Sequence, residues 1–423
     1  MLLLASFAEF SIRGPLRLLY GGTGWNDFLS PYIQAKAWMH GDDPYSAQSL
    51  VKWWPSDNPR PPFVDAEAAT GKLETKRGMP SPYPLTSLVL ISLFAALPWQ
   101  FAVLVWSALS VAAVIVAAIA LLVICGCRLS EMRSQIFLVV VLAFAPLHTG
   151  LATANPVVLT VSLIAGVLWA NHTGREKIAG VLLAMAICLK PTIAGGLLLY
   201  YLLRRRWSVV VTTCATAAAI VLVGISRLAV AGVRWIPSYL ENSRRMFATG
   251  SVDDFTQAAK LRFNMINSQI FFGGFFSNAP TANLLSRLLG VLLLGCWIWL
   301  CFRRRTSLGL LEISAVSVLS LIAVYHRFYD AILLILPLAW SLLLTKKRSA
   351  LFATLAITMP FLFPGPILLS NLADSGRIPL TVTSSWWWNA IVLPHEAWDL
   401  ILMTFLLLYF MWRESAENQP SPA

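Results

Sequence analysis

The chain has 423 residues, 57% of them hydrophobic and only 12% charged, with a formal charge of +12. A soluble protein carries about 25% charged residues, so this composition excludes a soluble globular domain. The positive charge is not a nucleic-acid signal, because it falls in short clusters between apolar runs, as it does in cytoplasmic loops.

Apolar runs of roughly 16 to 26 residues recur along the chain, about the length of a helix that crosses a bilayer. Closed barrels are the other spanning solution, but they show short alternating segments, and nothing here alternates. The fold class is therefore an all-α polytopic membrane protein. The six cysteines (Cys125, Cys127, Cys188, Cys214, Cys296, Cys301) lie within or at the ends of apolar runs. They read as small packing residues rather than a disulfide framework or a metal pair. No Gly-rich triphosphate-binding loop is present.

In chain order, the opening "MLLLASFAEFSIRGPLRLLYGG" is a poor span, since Arg13 and Arg17 interrupt it. It also lacks the charged start and cleavage site of a signal peptide. Upstream coding sequence is expected to supply the missing first helix. Next comes "NDFLSPYIQAKAWMHGDDPY", rich in acids and aromatics. Asp27 has two readings: a cap for a helix starting near Leu29, or a general base that takes a proton from an alcohol. Asp43-Pro44-Tyr45 reads mainly as a turn, and the Asp42-Asp43 pair as turn geometry rather than a metal-binding diacid.

The run 84–98 is short and proline-bounded, and is expected to dip into the outer leaflet. Placing each basic cluster (Arg128/Arg133, Arg175/Lys177, Arg204 to Arg206, Arg303 to Arg305, Lys346 to Arg348, Arg413) in the cytoplasm orders the remaining runs. Runs 100–125 and 156–170 go inward, and 135–152 goes outward. The run 178–203 breaks at Lys190-Pro191, because proline interrupts a continuous helix. Two short helices then meet near the outer face. Runs 207–225, 308–325 and 350–369 go out, while 283–302, 328–345 and 398–412 come in. This gives about ten spans plus a re-entrant segment.

On this topology the polar islands share one face. They are Asp27, Asn155, Lys190, the loop 226–282, "YHRFYD" (325–330) and "SWWWNAIVLPHE" (385–396). Ionisable groups beside hydrocarbon are costly and are functional candidates by default. Arg327 suits bidentate phosphate recognition, with His326 adding a hydrogen bond and Asp330 close by; alternatively Arg327 snorkels to the interface. Lys190 has the same two readings. Arg262, in "KLRFNMINSQ", reads more readily as a solvated loop residue. The triplet Trp386 to Trp388 reads as an interfacial anchor, with sugar stacking as the alternative.

The stretch "DFLSPYIQAKAWMHGDDPY" followed by "SPYPLTSLVLISLFAALPWQFAVLVW" resembles the N-terminal half of glycosyltransferase family 87, within the GT-C superfamily. "LLAMAICLKPT" with "LLRRRW" looks like its central Lys-Pro segment, and "SVLSLIAVYHRFYDAILLILPL" like its later His-containing loop. The resemblance spans roughly 27–337. A Gly-Gln-Asn turn common in the family stands here as "TANP", so Asn155 carries over and the Gln does not.

The resemblance implies a polyprenyl-phosphate sugar donor, most often mannose, and an extracytoplasmic lipid or glycan hydroxyl as acceptor. Asp27 would be the base. His326, Arg327 and Lys190 would hold the donor phosphate, with no metal or other cofactor. Asn155, Arg262, Asp43, Tyr45 and Asp330 are further candidates for the substrate site. The expected organisation is an N-terminal segment over residues 1–99, central helices over 100–225, an extracytoplasmic region over 226–283, C-terminal helices over 284–413 and a cytoplasmic tail over 414–423. Rival readings are a glycolipid transporter and a ligase with a pyrophosphate-linked donor.

Overall fold

The computed structural model describes residues 1–20, 26–58, 81–251, 253–257, 259, 262–304, 309–345 and 347–417. Arg305 and Lys346, members of two basic clusters, lie outside the described residues. Among the described residues the secondary structure is helical without strands; a single isolated bridge pairs Met265 with Arg327.

The chain starts with α1 (Leu2–Arg13) and α2 (Pro15–Tyr20). Then α3 (Leu29–His40) opens on Asn26, whose side-chain oxygen accepts from the backbone N–H groups of Phe28 and Leu29, each at 3.1 Å. It closes on Gly41 at φ 77°, a left-handed conformation that glycine adopts without cost. A side chain there would also meet Ala231 at 2.9 Å. The short α4 (Ala47–Lys52) is capped by Ser46. It leads to α5 (Leu85–Ala95) and the long α6 (Trp99–Ile124).

Next, α7 (Met132–Leu142) and α8 (Ala145–Ala152) are bent by 48°. Extended Phe144 breaks the helix, and Pro146 sits in the first turn of α8, where its missing N–H costs nothing. Then follow α9 (Val157–His172), α10 (Glu176–Leu189), α11 (Pro191–Leu203), α12 (Trp207–Val230) and α13 (Trp235–Met246). The C-terminal half holds α14 (Ser268–Phe275), α15 (Ala279–Arg303) and α16 (Leu310–Ala323). The helical segment Phe328–Leu344 contains α17 (Ile335–Ala339), and α18 (Arg348–Thr358), α19 (Gly365–Asp374), α20 (Leu380–Thr383) and α21 (His395–Glu417) complete it.

Among the described residues, α6, α12 and α15 are each long and apolar enough to cross a membrane. The bent pair α7–α8, and Arg348–Leu362 with α19 bent by 42°, raise the number to five if each is one span. Exposed apolar rows agree with a lipid surround: Leu104, Ile115 and Ile119 on α6, and Leu288, Val291 and Leu292 on α15.

The break anticipated at Lys190-Pro191 is present, and its cause is local. Pro191 supplies no N–H, and Lys190 turns out of helix at φ −150°, ψ 86°. Carbonyls at the end of α10 thereby lose their partners. Hydroxyls of α5 replace them. Thr86 Oγ1 donates to Cys188 O at 3.0 Å, and Ser87 Oγ reaches Cys188 O at 2.8 Å and Leu189 O at 2.9 Å. In hydrocarbon an unsatisfied carbonyl is expensive, so α5 and the broken helix hold one another. The helix α12 runs past the sequence boundary at 225 to Val230. Arg227 on this last turn donates from Nε and Nη2 to Met39 O, at 3.1 and 2.7 Å. It satisfies the end of α3 and offsets the negative end of that helix.

The largest core joins α9, α10 and α11 to α16, the 328–344 segment and α21. A second core is aromatic. Phe28 stacks on Trp106 with centroids 4.3 Å apart and on Trp99 at 5.9 Å, and Tyr32 meets Trp99 edge-on at 5.0 Å. Trp106 Nε1 also donates to Ala154 O at 3.0 Å, so this cluster fixes Asp27, one residue before Phe28, against the turn that carries Asn155.

Candidate active site

A cavity of ≈ 330 Å³ opens between the start of α3, the segment 81–84, the α10–α11 break, α13 and "YHRFYD". Its wall includes Asn26, Asp27, Ser30, Tyr83, Lys190, Thr192, Tyr239, Asp253, Tyr325, Arg327 and Tyr329. Three of the residues singled out from sequence, Asp27, Lys190 and Arg327, face this one space.

Asp27 is held from two sides. Its backbone N–H donates to Thr153 O at 2.8 Å, and Asn155 Nδ2 donates to its Oδ2 at 2.9 Å. Asn155 is 1% exposed and is itself fixed: its N–H donates to Gly150 O at 2.8 Å, and its Oδ1 accepts from Val157 N at 3.0 Å. Ala154 takes a left-handed φ of 54° to make this turn, a strained conformation for a residue other than glycine. The other carboxylate oxygen of Asp27, Oδ1, has no hydrogen-bond partner among the described residues. Capping of α3 falls to Asn26, so the capping alternative for Asp27 is corrected: its carboxylate is left to the cavity.

The cations are held by carboxylates. Lys190 Nζ pairs with Asp330 Oδ1, and its ammonium lies 4.9 Å from the centre of the Tyr329 ring. Asp330 is 2% exposed, and its Oδ2 accepts from His326 Nδ1 at 2.8 Å and from Arg327 N at 3.2 Å. Arg327 Nη2 pairs with Asp253 Oδ1 at 2.6 Å; Arg327 Nε and the hydroxyl of Tyr325 bond to each other, and that hydroxyl donates to Asp253. Tyr83 lies in the field of the whole group. Burial pushes its pKa well up, the charges of Asp27, Asp330 and Asp253 push the same way, and Arg327 opposes.

The other candidates stand outside the cavity wall. His326 is fully buried behind it, with its carbonyl accepting from Ile266 N at 3.0 Å. It orients Asp330 rather than reaching the space itself. Asp43 accepts from Tyr45 N at 2.9 Å and from Ser238 Oγ at 2.6 Å, tying its turn to α13. Burial raises its pKa, and these hydrogen bonds oppose the shift. Tyr45 donates to Tyr83 O at 2.8 Å and so positions the cavity wall from outside. Asp42 accepts from Lys52 and from Trp53 Nε1, each at 2.6 Å, and the Lys52 bond leads in lowering its pKa. Arg262 is 2% exposed and donates to Asn389 Oδ1 at 2.8 Å, joining the large loop to the C-terminal polar segment. This corrects the solvated reading: burial lowers its pKa to about 10. Of the Trp triplet, Trp386 and Trp387 are exposed and Trp388 is buried.

Sequence reasoning misses Asp253, Tyr325 and Tyr83. Asp253 stands beside Asp254 in "SVDDFTQ", and nothing in that stretch separates the two. Asp254 closes its own turn on Gly250 and Thr256, whereas Asp253 reaches Arg327. Only the fold distinguishes them. The tyrosines of "YHRFYD" belong to the motif by position, but a pattern of residue types gives no sign that one of them bridges an acid to an arginine.

A family model, that of glycosyltransferase family 87, matches residues 82–324. No curated protein and no solved structure matches the chain.

Proposed function

The chain belongs to glycosyltransferase family 87, and from that premise we propose that it transfers a hexose, mannose first, from a polyprenyl phosphate to a lipid or glycan hydroxyl outside the cytoplasm. That it is a membrane glycosyltransferase follows from the family and from the apolar helices. The donor, the acceptor and the face are the further reading. The observation that carries it is the cavity in which the open carboxylate edge of Asp27 and the cations Lys190 and Arg327 share one wall.

An acceptor hydroxyl attacks the anomeric carbon. Asp27 takes its proton as the new C–O bond forms, oriented by Asn155 through the other carboxylate oxygen. The bond from the anomeric carbon to the phosphate oxygen breaks, and the electron pair leaves with the polyprenyl phosphate. Arg327 and Lys190 offset the charge that develops on that leaving oxygen, a role that prearranged cations fill at low cost. Asp330 and His326 hold Lys190 and the Arg327 backbone in place. A glycolipid transporter would need polar groups along a path, whereas these gather at one place beside a candidate base.

Arg327→Ala is expected to weaken donor binding by roughly 10- to 150-fold, the equivalent of about 1.5–3 kcal/mol for a hydrogen bond to a charged group. Arg327→Lys should recover some of it, because the ammonium keeps the charge and loses the fork. Binding measured on detergent-purified protein checks this. Unchanged affinity in both variants would place the donor elsewhere.

The topology belongs to the same proposal, with about ten spans, a re-entrant segment and the cavity on the outer side. Thr249, Ser384 and Ser130 are exposed. Cysteines at Thr249 and Ser384 should react with a membrane-impermeant thiol reagent on intact cells, and a cysteine at Ser130 should not. Labelling at Ser130 with protection at Thr249 would invert the orientation.

A further inference from the structure

Among the described residues, the cavity wall and the groups that brace it hold more carboxylates than a site for an anionic donor calls for. Among these residues, Asp27 and Asp253 line the wall and Asp330 stands buried behind it on Lys190, three carboxylates against the two cations Lys190 and Arg327, leaving aside the imidazole of His326. Each cation is already paired. On Arg327 the pairing uses a particular edge: Nη2 bonds Asp253 and Nε bonds Tyr325. Those two nitrogens form one of the parallel forks by which a guanidinium grips a phosphate. A phosphate taking that fork meets the Asp253 carboxylate at van der Waals range, and like charges at such range repel strongly.

We propose that Asp253 is a displaceable counter-ion of the donor site. Its carboxylate holds Arg327 and Tyr325 while the cavity is empty, and a phosphate of the donor replaces it there. The inference rests on the donor reading given under the proposed function. It adds a residue that competes with the substrate, and it explains why a chain that binds an anion keeps an acid on its arginine. The Asp253 side chain is fully buried, and its second oxygen, Oδ2, has no hydrogen-bond partner among the described residues. A charge left half-satisfied in this way is easier to move than one in a completed network. The competing carboxylate also sets a limit on donor charge: with it present the site favours one phosphate over two.

The test measures binding of two probes, polyprenyl monophosphate and polyprenyl diphosphate, to detergent-purified full-length protein. Asp253→Asn keeps an oxygen for Arg327 and Tyr325 to bond and removes the charge. It should tighten monophosphate binding by roughly 10- to 100-fold, and tighten the diphosphate by more. A residue that merely braces Arg327 gives the opposite sign, so equal or weaker binding at normal stability overturns the proposal. Tyr325→Phe is the second variant, for the case where Asp253→Asn does not accumulate. It removes the hydroxyl that steadies Asp253, and should also tighten monophosphate binding; weaker binding would make the network a scaffold. If the wild-type protein binds neither probe, the donor reading fails and the inference falls with it. If the wild type binds and the variants do not gain, only the counter-ion role is lost.

Discussion

Asp27→Asn is expected to abolish most turnover while leaving a folded, inserted protein that still binds donor. An alcohol far above neutral in pKa attacks slowly unless its proton leaves as the bond forms. A positioned carboxylate contributes about 10²–10⁴ in rate by taking it. Asparagine keeps the size of the side chain and an oxygen that Asn155 Nδ2 bonds, but it takes no proton at neutral pH. Two features of the fold make the experiment clean. The cap of α3 is Asn26, so the substitution does not touch it. The position itself is set by the backbone bond to Thr153 and by the Phe28–Trp106 stack behind it, which the substitution also leaves alone. Initial rates and donor affinity, measured on the same preparation, check it. Near-normal transfer would remove Asp27 from the mechanism, and Asp253, which faces the same cavity, would become the first alternative.

Lys190→Met is expected to damage the protein in two separable ways. Asp330 is 2% exposed and Lys190 is its principal cation. Removing one partner of a buried pair leaves an uncompensated charge, at a cost of about 3–5 kcal/mol. The single variant should therefore show a markedly lower thermal unfolding midpoint in detergent. Adding Asp330→Asn removes the stranded charge and still offers an oxygen to His326 and to the Arg327 N–H. The double variant should recover most of the lost stability. Donor binding should stay weak in both, since Lys190 is absent from each. Stability lost equally in single and double variants would mean that packing of the lysine stem, not its charge, holds the α10–α11 break.

Much of the architecture is legible in the sequence because its causes are local. Apolar run length marks the helices, and proline marks the breaks at Lys190-Pro191 and around α5. The remainder is not, because its causes join distant residues. Lys190 and Asp330 are 140 positions apart, and Asn155 and Asp27 are 128. No spacing rule connects them. The spacing of the basic clusters gives only the expectation that these groups share one face, and the fold alone sorts them into those that face the cavity and those that brace it. His326 illustrates the difference. Beside Arg327 in sequence it reads as a second phosphate contact, yet the turn into the 328–344 segment sends it inward to Asp330. Asp43 and Tyr45 illustrate another. A turn signal is visible there, but not that the turn pins α13 and the Tyr83 segment.

The central claim, that this cavity uses a polyprenyl-phosphate sugar, is tested most directly by single-turnover transfer. Purified protein is mixed with polyprenyl phosphate carrying a radiolabelled hexose, mannose first, in the presence of a membrane extract as acceptor. The account predicts that label moves to an acceptor and polyprenyl monophosphate is released in equal amount, with the wild-type protein and not with Asp27→Asn. No release from any hexose donor, or equal release by the variant, would contradict it.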